Sequence, residues 1–300
     1  MATLPNPLPR LADDPSGSSL GLRLPAGRLI DTTDHGRWHE PLLWCAGEPP
    51  APGEWSALAP ARRVGLLPVL VDGATDIGPD WYLRPGDVSY PGDHDAEEVL
   101  AHSWDDHMAD ALHSDENHAG IDAADTDVTD TGATDTAPGS PAALGGIVSL
   151  LGADWPGTAP AGTLRRDPDE CAADVVGLLL REGTRVKEGR LALVPARRSA
   201  DLPAAIGWTG AAPFEDDTAR LCAVLRSWED RFGIRVVALR ADELVVSVAA
   251  PPTTAAHAEA VAAEHFAFCP DAVLRGNHDT LRDYAHQEVL DEEVWAFWWD

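Results

Sequence analysis

Apolar residues in this chain follow two rhythms, and each predicts a kind of element. Short runs bounded by Gly, Pro and Asp read as strands: "RLI" at 28–30, "PLLWCA" at 41–46 and "VGLLPVLVDG" at 64–73. "GEWSALAPARR" between the last two predicts a short helix. From residue 95 the period changes. In "DAEEVLAHSWDDHMADAL", Leu100, Trp104, Met108 and Ala111 fall on one stripe, and Asp95 with Glu98 forms a capping box. "RRDPDECAADVVGLLLREG" predicts a helix capped by Asp167, started by Pro168 and ended by Gly183. "EDDTARLCAVLRSWEDRFG" predicts another, with Leu221, Val224, Leu225, Trp228 and Phe232 on its apolar face.

The last 110 or so residues add "RLALVPA" as a strand and "RVVALRADELVVSVA" as a hairpin turning at Ala241–Asp242. "PPTTAAHAEAVAAEHFAF" and the shorter "TLRDYAHQEVL" predict helices, and "VWAFWWD" a closing strand. With the shorter helix omitted, the order is β-α-β-β-α-β, that of the ferredoxin-like unit. The expected fold class is α+β: an antiparallel or mixed sheet with helices on one face, plus a smaller α/β part toward the N-terminus. Alternation in the closing strand sends Trp295, Phe297 and Trp299 to one face. A strand placed in the middle of the sheet would bury them.

Composition divides the rest. Residues 1–25, rich in Pro, Ser and Gly, predict a flexible arm. Residues 26–112 form the N-terminal α/β part. Residues 113–143 hold Asp, Thr, Ala and Gly with almost nothing to bury, which predicts a disordered acidic linker. Residues 144–300 form the C-terminal domain.

The net charge is −28, and no Lys or Arg lies between Arg84 and Arg165. Such a surface repels phosphate backbones and anionic membranes, so neither nucleic acid nor a membrane is an expected partner. A basic protein is the partner class that fits. The four cysteines form no CxxC pair, no apolar run reaches membrane-spanning length, and no signal-peptide core opens the chain. The expected location is the cytoplasm.

Several words of the C-terminal third are distinctive: "LRSWEDRFG", "VSVAAPPTT", "AAEHFAFCPD", "YA" and the final "FWWD". In this order and near this spacing they resemble the DUF4253 family, a bacterial domain of unknown function. The resemblance covers Arg190 to Asp300. Upstream, "LLPVLVDG" and the helix rich in Trp and Asp resemble the N-terminal half of longer members less distinctively. The resemblance implies a compact C-terminal domain and carries no activity with it.

Candidate chemistry is sparse. Glu264, His265, Cys269 and Asp271 form the sharpest polar group. His265 and Cys269, four apart, share a helix face, as a zinc half-site or a Cys–His nucleophile pair requires. The bland reading is a helix end in which Cys269 is a small hydrophobe and His265 is hydrogen-bonded. Zinc needs two more ligands, for which His278 and Asp279 are only guesses. The acidic "DTDVTDTG" fails as a calcium loop, because position six from Asp125 is Asp130 rather than Gly and position twelve is Thr136 rather than Glu. His102 and His107 are five apart and turn to different parts of their helix. No metal and no cofactor is expected. GxSxG, Walker, GxGxxG and HExxH patterns are all missing from the sequence.

Two functions stay open. The first is a non-catalytic binding module, with Trp298, Trp299 and Asp300 as candidate contact residues; a toxin-neutralising role belongs to that class by analogy. The second is an enzyme of unrecognised type that uses Glu264, His265, Cys269 and Asp271 in a cleft. Geometry separates them: a catalytic group must converge on an open pocket.

Overall fold

A computed structural model describes residues 5–71, 83–121, 154–182, 189–212, 214–276, 278 and 280–299 of the chain. The protein is α+β, and its main sheet has seven strands of mixed direction. The strands are β1 (Gly27–Ile30), β2 (Leu43–Ala46), β3 (Leu66–Val71), β4 (Arg190–Pro195), β5 (Arg235–Leu239), β6 (Glu243–Ser247) and β7 (Val294–Trp298). The larger helices are α1 (Ala96–Ile121), α2 (Pro168–Glu182), α3 (Thr218–Phe232) and α4 (Ala255–Phe268), followed by the short α5 (Pro270–Leu274). Helix α1 takes in residues 113–121, which composition assigned to the linker. The remainder of that linker, the Asp125–Thr136 tract, Gly183, Asp279 and Asp300 lie outside the described residues.

The chain falls into two compact units that interleave in sequence. One takes Met1–Ala96, Ala161–Pro251 and Glu293–Asp300; the other takes Glu97–Pro160 and Pro252–Glu292. The first holds the whole sheet, so the strands before residue 72 and those after residue 189 build one layer.

The strand order is β1-β2-β4-β3-β5-β6-β7. Only β3 and β5 run parallel; every other neighbouring pair is antiparallel. This corrects the ferredoxin-like expectation. The four C-terminal strands do not make a sheet among themselves, because β3 stands between β4 and β5. Its six residues pair with β4 along their whole length, Leu66 with Pro195 through Val71 with Arg190. The closing strand is also displaced from the expected centre: β7 lies at the sheet's edge and pairs with β6 alone.

Its aromatics are buried nonetheless. Trp295 and Phe297 pack on the rings of Trp228 and Phe232 from α3, with centroids 5.3–5.7 Å apart. Trp299 is buried against Trp208, and Trp298 is half-buried. Trp299 is thus a core side chain.

Helices cover both faces of the sheet, not one as expected. Val294 and Ala296, which alternate with the aromatics of β7, join a cluster around Cys171, Val175, Val176 and Leu179 of α2. Opposite faces of one strand therefore meet α2 and α3. Leu8, Leu11, Leu20 and Leu22 lie buried in the α2 cluster, so this stretch packs on the core instead of hanging as a loose arm.

Capping follows the sequence signals. Asp167 accepts from the amides of Asp169 and Glu170, and Asp217 accepts from Ala219. Helix α3 ends at Gly233 in the left-handed region (φ 62°), where the Gly233 amide donates to the Glu229 carbonyl.

In the second unit, Leu100, Trp104 and Met108 of α1 are buried as their stripe predicts. Trp104 meets Phe266 of α4 edge-on at 5.4 Å, and His107 lies half-buried beside the same ring. Helix α4 is apolar nearly all round, and Val261 through Phe268 are all buried.

Candidate functional site

The polar group singled out in the sequence sits at the C-terminal end of α4 and the start of α5. Glu264 and His265 occupy the last turns of α4, Cys269 joins the two helices, and Asp271 opens α5. The local sequence explains the joint. Pro270 cannot continue the α4 hydrogen-bond ladder but suits the first position of a new helix.

Glu264, His265 and Cys269 have no solvent exposure, and Asp271 has 5%. Each has a structural task. Glu264 Oε1 accepts from the Ala159 amide at 2.7 Å. His265 Nδ1 and the Tyr284 hydroxyl share a hydrogen bond of 3.0 Å. The Cys269 amide donates to the His265 carbonyl, and Asp271 pairs with Arg275 at 3.0 Å. Nearby, His278 packs edge-on against Tyr284 and approaches Glu288 at 3.4 Å.

Burial sets the protonation of His265 and Tyr284. It pushes the His265 imidazolium pKa down to about 3, so the ring is neutral at physiological pH. Burial, then the neighbouring Cys269 and Glu288, raises Tyr284 well above the usual phenol range. Glu264, His265 and Cys269 are sealed from solvent and Asp271 nearly so, and within the described structure the group lines no open pocket. Among the described residues, no three His, Cys, Asp or Glu side chains are placed to hold a metal ion. All four cysteines are buried as free thiols.

The described structure opens elsewhere, in the first unit, where strand pairing fails. Strands β3 and β5 are hydrogen-bonded only at Leu70–Val71 and Ala238–Leu239. Toward their N-terminal ends they part. Pro68 in β3 has no amide to offer a neighbour, and a register shift between Val236 and Ala238 bends β5. Ser199 fills the missing ladder position. Its hydroxyl accepts from the Val236 amide at 2.8 Å and faces the Val236 carbonyl at 3.5 Å. A cavity of about 290 Å³ lies at this parting. Leu67, Pro68, Val236 and Ala172 form its apolar lining, with Trp55 as the aromatic wall.

Two guanidinium groups stand in the cavity wall and converge on one carboxylate oxygen. Arg62 Nη2 and Arg235 Nε donate to Asp169 Oδ1 at 2.9 and 2.7 Å. Arg235 is the deeper of the two, with its side chain 17% exposed against 43% for Arg62 and 51% for Asp169. It is braced from behind: Nη1 donates to the Ile234 carbonyl at 2.8 Å and approaches Glu229 at 3.4 Å. Glu229 in turn pairs with Arg198 at 3.3 Å and accepts from the Ala200 amide at 3.1 Å.

None of these cavity residues stood out in the sequence, since they come from five separate segments. The one signal was Pro68, a proline inside an otherwise continuous apolar run, which marks an interrupted ladder.

Residues 190–300 match the family model of DUF4253, a domain of unknown function. No curated protein and no solved structure matches the chain. The DUF4253 match contains β4 to β7, α3 and α4, and with them the sealed group at 264–271. It contains only part of the cavity. Ser199, Arg235 and Val236 fall inside it, while Trp55, Arg62, Pro68 and Asp169 precede it. Strand β3, which joins β4 to β5, precedes it too.

Proposed function

We propose that this protein is a non-catalytic binding module and that the cavity at the β3–β5 parting is its recognition site. The observation that carries this reading is the cavity's composition. It joins an apolar lining and an aromatic wall to a few fixed polar groups, the usual makeup of a small-ligand site. Its deepest charged group, Arg235, is held in place by the Ile234 carbonyl and Glu229, and a fixed cation favours recognition over proton transfer. The alternative enzyme would use Glu264, His265, Cys269 and Asp271. Their burial argues against it, because a substrate would have to enter the core of the second unit. Among the described residues no helix is long and apolar enough to cross a membrane.

Ligand-observed NMR with a fragment library tests the proposal on the full chain. Fragments that bind wild type should lose binding in Ala59→Trp, which plugs the mouth from an exposed position, while the melting temperature holds. If no fragment is sensitive to Ala59→Trp, the cavity is not a binding site.

The net charge of −28 favours a second reading, in which a basic protein docks on the acidic surface. Capture of such a partner would weaken steeply with salt and would be indifferent to Ala59→Trp.

A further inference from the structure

We infer that the cavity selects a small organic carboxylate with a flat apolar body, its anionic head seated between Arg62 and Arg235 in the place now held by Asp169. The inference rests on the cavity being the recognition site. Its first support is donor capacity. A guanidinium has five N–H donors in a planar fork that matches a carboxylate. Among the described residues, Arg62 commits one nitrogen, Nη2, to Asp169. Arg235 commits Nε and Nη1, which leaves Nη2 for a ligand. Both arginines meet the same oxygen, Asp169 Oδ1, so this carboxylate uses the forks incompletely.

The second support is mobility of the occupant. Asp169 stands in the first turn of α2 with half its side chain exposed. An exposed ion pair exchanges readily with water. The Asp169 carboxylate can therefore swing out while Arg235, braced by Ile234 and Glu229, stays. Asp167 cannot take its place, because Oδ1 of that residue caps α2 through the amides of Asp169 and Glu170.

Charge and shape narrow the class. A cationic ligand would have to approach a carboxylate already flanked by two guanidiniums. A polyanion would meet the acidic rim of Asp167 and Glu170 and the field of a chain carrying −28. A monoanion satisfies the two arginines at a smaller penalty, since the repulsion scales with its charge. The volume of about 290 Å³, walled by Trp55 and Pro68, suits a fused-ring body on a short acid arm.

Calorimetry on the full chain, with three probes that share one ring system, tests the inference. Indole-3-acetate carries the anion, indole-3-acetamide is neutral and tryptamine is a cation. Only indole-3-acetate should bind measurably. Arg62→Gln and Arg235→Gln should each weaken it by about tenfold or more, the loss expected for a charge-assisted hydrogen bond. Asp169→Asn should tighten it, since the competing carboxylate is gone. Arg62 is the more exposed arginine, so Arg62→Gln remains informative if Arg235→Gln fails to fold. Tryptamine or the amide binding as well as the acid would overturn the carboxylate preference. So would tighter binding to wild type than to Asp169→Asn. If the three indoles fail while other fragments remain sensitive to Ala59→Trp, the carboxylate inference falls and the recognition site stands. If nothing is sensitive to Ala59→Trp, both fall.

Discussion

The two units treat polar side chains in opposite ways. In the second, Glu264, His265, Cys269 and Tyr284 are residue types that enzymes use, and all are without solvent exposure except for a trace at Tyr284. In the first, Arg62, Asp169 and Arg235 form an ordinary ion-paired group, yet they stand at the mouth of a cavity. What separates a site from a scaffold is access. A buried polar group is held by its hydrogen bonds, and removing it costs stability because its partner is left unsatisfied. A group at a rim trades partners with water, so removing it changes what binds and leaves the fold nearly untouched. Substitutions in the second unit should therefore be read in melting curves, and those at the cavity in binding isotherms.

The largest test concerns the scaffold behind the cavity. Deleting everything after Glu293 removes β7 and with it Trp295 and Phe297, which pack on Trp228 and Phe232. One buried aromatic is worth about 3–5 kcal/mol, and a domain has a margin of only about 5–15 kcal/mol. The truncated chain should lose the cooperative melting of the sheet, followed by tryptophan fluorescence. A truncated chain that melts near the parent temperature would make the tail a docking segment instead. For the same reason residues 190–300 alone should not fold: without β3, strands β4 and β5 have no neighbour between them.

The next test uses protons to probe the seal. The His265 pKa is about 3 in the fold against 6.5 for an ordinary histidine. Between these values the unfolded chain binds the proton and the fold does not. The stability contribution is thus complete above pH 6.5 and is lost as pH falls toward 3, by about 1.4 kcal/mol per pH unit. Carboxylates begin to titrate below about pH 5, so the clean window is pH 5 to 6.5. Denaturant midpoints there should slope for wild type and be nearly flat for His265→Asn. Equal slopes would mean that the ring takes up a proton within the fold, which would reopen the enzyme reading.

Glu264 gives a smaller and more specific effect. Glu264→Ala removes the acceptor of the buried Ala159 amide and should cost about 1–3 kcal/mol. Glu264→Gln keeps an acceptor oxygen at the same reach and should recover part of that loss in urea unfolding. Neither change should alter fragment binding at the cavity. A loss of binding in either variant would erase the contrast between the units.

Much of the fold was legible because strands and helices write local periods into the sequence. The hairpin at Ala241–Asp242, the stripes of α1 and α3 and the cap at Asp167 all rest on neighbours within a few residues. The order of strands does not. Nothing local in "LLPVLV" says that it pairs with residues 190–195, more than a hundred positions away. Burial of the terminal aromatics was foreseen for a different reason than the one that holds. They are covered by α3, not by a central place in the sheet. The first 25 residues show how composition misleads: their Pro, Ser and Gly hid four leucines that reach the core. At 264–271, spacing placed His265 and Cys269 on one helix face, but α4 ends at Phe268, Cys269 falls at the joint with α5, and both residues are buried, so the spacing gives no access. The cavity was illegible except at Pro68, because a gap between strands is a property of pairing that fails, and no motif encodes it.

The smallest expected effect is the one that most sharpens the contrast. Arg62 and Asp169 form an exposed pair at 2.9 Å, with side chains 43% and 51% exposed. Pairs of this kind contribute about 0.2–1 kcal/mol in double-mutant cycles. Arg62→Gln, Asp169→Asn and the double variant should all melt close to wild type, and their coupling should fall in that range. The pair should also weaken with salt, since water and ions reach it. Binding should respond in opposite directions, weakened by Arg62→Gln and strengthened by Asp169→Asn, although stability barely moves. A coupling of several kcal/mol, insensitive to salt, would show that the pair is a structural clamp that closes the cavity. The first unit would then resemble the second, with its polar groups serving the fold rather than a ligand.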